Sequence, residues 1–183
     1  NIRPFQGKPI IAYSIQIARL SGLFKEIFVT TDDYEIAVTA ERYGAHAIGR
    51  PDGLAQNEIG TQEVMKWVLT KCLSRPPEPI DYACCIYATA PMLSPETLQR
   101  ACRILEQDKP HYVVPVGHWL RDPGQFYFGT AHAFEAGFPL NTDGTMIISI
   151  DPQTDCDINT EEDWIRAERM YADLHKDDRI SHG

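Results

Sequence analysis

The run Tyr82-Ala-Cys-Cys-Ile-Tyr87 constrains the fold of this chain more than any other feature. It is almost uniformly apolar, too short for a helix and without the alternation of a strand that keeps one face in water. Such a run predicts a central strand buried on both faces, which requires helices above and below one sheet. The flanking sequence supplies them. Residues 61–73 carry apolar side chains at helical spacing until the cluster Pro76-Pro77-Glu78-Pro79, which forbids continuation. Residues 95–107 form the next helix, with Ser94 as N-cap and Pro95 in the first turn, where its missing N–H is harmless.

The same alternation extends along the chain. Residues 8–20 read as a helix and Glu26-Ile-Phe-Val-Thr-Thr31 as a strand. Residues 33–43 read as a second helix, opened by Asp33 and closed at Gly44, before the short strand candidate Ala45-His-Ala-Ile48. Strands at 111–116, 124–129 and 146–150, a short helix at 130–137 and a C-terminal helix at 160–175 complete the pattern. The last helix opens on Thr160-x-x-Asp163, a capping box. This predicts an α/β fold of three layers, a mostly parallel sheet between helices, with ligands at the carboxyl ends of the strands. At 183 residues and 43% hydrophobic content, one domain spanning 1–183 is expected. The tail 176–183 has no apolar period and is expected to fray.

Charge and cysteine usage remove several function classes. A net charge of −9 opposes coating of nucleic acid or anionic membrane, while leaving room for a local basic pocket. The 5 cysteines lack the paired spacing of zinc sites or redox dithiols, which points to reduced thiols in a cytoplasmic protein. No segment approaches the roughly 20 apolar residues of a membrane span, and no charged-then-apolar leader opens the sequence. The absence of a Gly-x-Ser-x-Gly elbow, a P-loop and a dinucleotide fingerprint sets aside the commoner hydrolase, kinase and dehydrogenase readings.

Four polar segments could carry chemistry. Val29-Thr-Thr-Asp-Asp33 puts hydroxyls and carboxylates where a strand meets a loop, though capping of the next helix explains Asp33 equally well. The loop 49–61 holds Arg50, Asn57 and Thr61, donors suited to a phosphate or base carbonyl, or else a solvated surface loop. Ala88-Thr-Ala90 ends the apolar strand in small residues that admit a flat group such as a pyrimidine, or pack tightly under the next helix. Asp155-Cys-Asp157-Ile-Asn159 is the acidic centre. In an extended segment, residues two apart face one side, so Asp155 with Asp157, or Asp157 with Asn159, could grip a hard cation.

Taken in order, four stretches resemble the acylneuraminate cytidylyltransferase family over nearly the whole chain. They are Asn1-Ile-Arg-Pro-Phe-Gln-Gly-Lys-Pro-Ile10, Val29-Thr-Thr-Asp-Asp33 with Glu35-Ile-Ala37, Arg50-Pro51 with Leu54-Ala55, and Asp157-Ile-Asn-Thr-Glu-Glu-Asp-Trp164. Cys84-Cys-Ile-Tyr-Ala-Thr-Ala-Pro91 and Asp122-Pro-Gly-Gln-Phe-Tyr-Phe-Gly129 look like its pseudaminic acid branch. The resemblance implies a three-layer Rossmann-like nucleotidyltransferase fold. It also implies transfer of CMP from CTP to the anomeric hydroxyl of a nonulosonic acid, a nine-carbon sugar acid, with Mg2+ assisting and pyrophosphate leaving. A homodimer is implied too. By position, the resemblance puts Asn1, Arg50, Asn57, Thr61, Ala88 and Thr89 on the nucleotide and Gln125, Phe126 and Tyr127 on the sugar. It puts Asp157, Asn159 and Asp155 on the metal, with Asp157 also the catalytic residue.

Three departures from the family pattern shape the expectation. The glycine-rich basic loop that cradles the triphosphate normally precedes the residues aligned with Asn1, so it is expected upstream, in a longer protein. A long insertion that crosses to a partner subunit usually stands between Val116 and Asp122, where this chain has only Gly117-His-Trp-Leu-Arg121. Asn159 stands where many relatives have a second metal-binding aspartate, which Asp155 could replace. Three alternatives stay open: synthesis of CMP-sialate or CMP-legionaminate, a nucleotide-binding module without catalysis, and a nucleotidyltransferase for a phosphorylated sugar.

Overall fold

The chain opens on a hairpin of two-residue strands, β1 (Pro4–Phe5) and β2 (Lys8–Pro9), turned through Gln6 and Gly7 at positive φ of 46° and 88°. The computed structural model describes residues 1–56, 58–73 and 79–176. The first helix, α1 (Ile10–Ser21), starts later than its apolar spacing predicts because Lys8 and Pro9 pair in that hairpin. There follow β3 (Phe28–Thr31), α2 (Tyr34–Arg42) and β4 (His46–Gly49). Asp33 caps α2, its Oδ1 accepting from the Glu35 and Ile36 N–H groups at 2.7 and 3.0 Å.

Helix α3 (Thr61–Trp67) continues as a π-helical turn over Val68–Cys72 and leads to β5 (Tyr82–Ile86). The proline cluster between them lies largely outside the described residues, as does the tail from residue 177. Helix α4 (Pro95–Asp108) is capped by Ser94, whose Oγ accepts from the Thr97 N–H at 3.2 Å. The remaining elements are β6 (Tyr112–Val116), β7 (Phe126–Thr130), α5 (Ala131–Ala136), β8 (Thr145–Ser149) and α6 (Glu161–Leu174). The capping box of α6 closes as its sequence requires. Thr160 Oγ1 accepts from the Asp163 N–H at 3.2 Å, and Asp163 Oδ2 accepts from the Thr160 N–H at 3.0 Å.

The principal sheet has the order β5-β7-β6-β8. Strand β6 runs parallel to β8, and β7 runs antiparallel to both its neighbours, so β5, β6 and β8 share one direction. Strands β3 and β4 form a separate parallel pair. One expectation needs correction: β5 is not central in its ladder but stands at its end, paired among the described residues with β7 alone. The apolar run reports coverage of the strand's two faces, and that coverage is real. Pairing depends on partners distant in sequence, which the run does not encode.

The three expected layers follow from alternation along the strands. Tyr82, Cys84, Ile86, Val113, Phe126, Phe128 and Ile148 face one cluster, filled by Ile10, Tyr13 and Ile17 of α1, Leu98, Ala101 and Leu105 of α4, and Trp164 of α6. Ala83, Tyr112, Val114 and Tyr127 face the other, with Leu69 beyond α3 and Phe134 of α5. Each fully buried side chain, such as Leu98, Leu105 or Phe126, contributes roughly 1.5–3 kcal/mol. The N-terminal hairpin is clamped to α6. Phe5 meets Trp164 edge-on at 5.5 Å, Arg3 lies 4.1 Å over the Trp164 ring, and its guanidinium grips Glu161 at 2.5 and 2.7 Å.

Candidate active site

Because β7 runs against its neighbours, its amino end lies at the same edge as the carboxyl ends of β5, β6 and β8. The register pairs Ile86 with Phe126 and Val116 with Ser149. Tyr87 to Thr89, Gly117, Gly124 to Tyr127 and the loop from Asp151 therefore converge on one rim, the position at which α/β sheets bind ligands. Thr31 and Gly49 end the β3–β4 pair side by side, and Arg50 follows. Its guanidinium donates to the Thr30 carbonyl at 2.8 Å and to Thr30 Oγ1 at 3.4 Å. Arg50 is also close enough to Cys85 for its charge to oppose the burial that pushes that thiol up to about 12.

Two hydroxyl contacts lie along the rim. Thr61 Oγ1, at the first residue of α3, lies 2.6 Å from the Tyr87 hydroxyl. The Tyr87 ring meets that of Tyr127 edge-on at 5.8 Å between centroids. Tyr127 donates its proton to Asp122 Oδ2. Burial, and the Asp122 carboxylate that its hydroxyl donates to, push the Tyr127 phenol well above its ordinary 10.0. Asp122 is fixed by its own turn, Oδ1 accepting from the Gly124 N–H at 2.9 Å, with Gly124 at φ 61°. That Asp-Pro-Gly turn returns the chain into β7.

The two candidate metal carboxylates stand against glycines. A Cβ on Gly124 would meet Asp157 Oδ1 at 2.6 Å, and one on Gly117 would run into the Asp155 carboxylate. Asp155 accepts from the His118 N–H at 2.6 Å, and Asp157 Oδ2 accepts from the Asn159 amide at 2.6 Å. Both aspartates line an open pocket of about 270 Å³ with Arg121 and Arg166. Among the described residues, no group of three or more His, Cys, Asp or Glu side chains is arranged to hold a metal ion. Two carboxylates and an amide oxygen are the donor types a hard cation takes, and the two glycines leave room for the carboxylates themselves. The join ahead of them is tight. Gly117 N–H bonds to the Arg121 carbonyl at 2.8 Å, while Trp119 and Leu120 both take positive φ, at 58° and 56°, and stand 83% and 74% exposed.

Thr61, Tyr127 and Asp157 thus stand along the rim beside Tyr87, Asp122 and Gly124 respectively, with Ala88 and Thr89 half-buried there too. Ala88 packs on the cluster of Ile11, Ile15, Ala40 and Ala45. Asn1 supports α1, its carbonyl accepting from the Ile11 N–H at 3.1 Å. Asn57 lies outside the described residues. Two residues expected on the sugar side are buried. Phe126 is 0% exposed and belongs to the core, and Gln125 is 2% exposed with its amide donated to the Thr154 carbonyl at 2.7 Å. Strand alternation turns Phe126 inward and leaves Tyr127 at the rim, and Gln125 ties the loop from Asp151 to β7. The sequence alone gives Asp122 and Tyr87 no role. Their signals are the Asp-Pro-Gly turn and an aromatic at the end of an apolar strand.

Residues 1–130 match the sequence profile of the family described as Cytidylyltransferase. The chain belongs to this family. It is accordingly an enzyme of the nucleotidyltransferase class, and the matched segment carries everything at the rim except the aspartate loop. A pseudaminic acid cytidylyltransferase of Campylobacter jejuni subsp. jejuni is 28% identical over 211 residues, covering 96% of this chain and 90% of that protein. Among solved structures, a CMP:2-keto-3-deoxy-manno-octonic acid synthetase complexed with CTP superposes with a TM-score of 0.70 at 12% identity, covering 94% of this chain and 91% of that one. A protein of Mycobacterium tuberculosis in complex with manganese gives 0.64 at 14% identity, covering 92% and 90%. At these identities the structural likeness establishes the nucleotidyltransferase fold of the cytidylyltransferase chain.

Proposed function

We propose that this cytidylyltransferase moves CMP from CTP to the anomeric hydroxyl of a nonulosonic acid, pseudaminic acid in the first place, releasing pyrophosphate. The observation that carries the reading is the 28% identity to a pseudaminic acid cytidylyltransferase over nearly the whole of both chains. Thr61, Arg50, Ala88, Thr89, Asn1 and Asn57 serve CTP, and Tyr127 faces the sugar acid with Gln125 supporting it. To meet a phosphate or a base carbonyl, Arg50 exchanges its bond to the Thr30 carbonyl for one to the ligand. Asp157, with Asp155 and Asn159, holds Mg2+, which when bound neutralises charge on the triphosphate. The carboxylates keep that charge fixed at the rim, while the bond to Tyr87 orients Thr61 and the bond to Asp122 orients Tyr127.

A cytoplasmic location and a homodimer belong to the same reading. No helix among the described residues is long and apolar enough to cross a membrane. The test is pyrophosphate release by the full-length protein with CTP, Mg2+ and, separately, pseudaminic, legionaminic and sialic acids. The highest kcat/KM is expected with pseudaminic acid. A higher value with another sugar acid would reassign the acceptor, and no release with any of them would overturn the reading. Sedimentation at the mass of a single chain would overturn the dimer.

A further inference from the structure

We propose that Asp163 is a positioning residue for the Asp157 carboxylate, acting through Asn159, in addition to capping α6. The inference rests on the reading of Asp157 as the metal-holding carboxylate. The loop that carries Asp157 has little backbone support of its own. Among the described residues, its backbone bonds stop at the Cys156 N–H, donated to the Thr154 carbonyl at 3.1 Å. They resume at the Trp164 N–H, donated to the Thr160 carbonyl at 3.0 Å. Between them Ile158 packs on the core cluster that contains Trp164, which fixes the depth of the loop and leaves Asp157 and Asn159 together on its other side.

That other side is held by Asp163. A capping box asks its carboxylate to accept from the N-cap N–H, and Asp163 Oδ2 does so from Thr160 at 3.0 Å. The same oxygen accepts from the Asn159 N–H at 3.2 Å, a bond that capping does not require, since Asn159 precedes the cap. Asn159 in turn donates its side-chain amide to Asp157 Oδ2 at 2.6 Å. The groups themselves determine both directions: a carboxylate accepts, and the backbone N–H and the amide NH2 donate. Asp163 is restrained on its far side too, where Arg166 Nη2 lies 2.8 Å from Oδ1, and its side chain is only 19% exposed. The first turn of α6, which Arg3 grips through Glu161, thus sets the orientation of a carboxylate that precedes the helix.

The experiment uses the full-length protein, with Mn2+ as a hard-cation probe whose free spin-resonance signal disappears on binding. It measures the Kd of Mn2+ beside the melting temperature. Asp163→Ala is expected to weaken Mn2+ about tenfold, the effect of removing a partner that orients a metal ligand. Thr160→Ala disturbs the same cap, and its melting temperature is expected to fall about as far. Its Mn2+ affinity is expected to stay at the wild-type level, because the Asn159 N–H keeps its acceptor. Asp163→Asn, whose amide oxygen can still accept from that N–H, is expected to recover most of the affinity lost in Asp163→Ala. In an Asn159→Ala background, Asp163→Ala is expected to add nothing further, because the intermediary is gone. Equal Mn2+ affinities in Asp163→Ala and Thr160→Ala, or an undiminished effect of Asp163→Ala without the Asn159 amide, would overturn the proposal and leave the metal reading standing. An unchanged affinity in Asp157→Asn, or a wild-type protein that takes up no Mn2+, would overturn the metal reading and the proposal with it.

Discussion

Gly124 and Gly137 share a backbone conformation, with φ of 61° and 73°, but differ in what surrounds them. A Cβ at 137 meets only Lys66 Nζ at 3.8 Å, whereas one at 124 reaches Asp157 Oδ1 at 2.6 Å. Both Gly→Ala substitutions are expected to destabilise by about 1–2 kcal/mol, the penalty of a left-handed residue with a side chain. Only Gly124→Ala should also displace the Asp157 carboxylate. Melting curves are expected to shift alike, while Mg2+-dependent pyrophosphate release falls at least about tenfold in Gly124→Ala alone. Equal activities would detach Asp157 from the metal role. Asp157→Asn, which keeps shape and removes charge, is expected to lower kcat by about 100-fold with an unchanged melting temperature. The aspartate loop is legible in the sequence because two-residue spacing is local. Asp122 and Tyr87 are not, because their partners are brought near by a strand register that no short window contains.

At the scale of elements, α6 shows how local and long-range forces divide. Its start is set by a capping box of two side chains, and its attachment by Trp164 against Phe5 and Arg3. Thr160→Ala removes the acceptor for the Asp163 N–H and is expected to cost about 1 kcal/mol in urea unfolding. Leu98→Ala, at a side chain that is 0% exposed in α4, is expected to cost about 2–5 kcal/mol. The reverse ranking would mean that capping, not the apolar face, holds the helical layer. Three helix starts are legible in the sequence because Asp33, Ser94 and Thr160 satisfy backbone N–H groups within three residues of themselves. The opening hairpin escapes for the opposite reason: two-residue strands have no period to detect. The place of β5 at the ladder's end escapes because coverage of a strand's faces is written in its own side chains and its neighbours are not.

At the scale of the whole molecule, helices cover both faces of the sheet, and that burial makes stability depend on alkaline pH. Burial pushes the Cys85 thiol of β5 from 9.0 up to about 12, and the Tyr13 phenol of α1 from 10.0 up to about 12. Cys84 is shifted in the same direction, again chiefly by burial. Below pH 9 these groups are protonated in the folded and unfolded chain alike, and their contribution to stability is fully present. Between pH 9 and about 12 the unfolded chain releases protons that the folded chain keeps. The folded state then binds more protons, and the free energy of unfolding must fall as pH rises. The melting temperature is therefore expected to decline steadily above pH 9, and the decline should be shallower in Cys85→Ala because one such proton is gone. Parallel declines in the two proteins would show that Cys85 ionises as freely in the folded chain as in the unfolded one, and that the layer over β5 admits water.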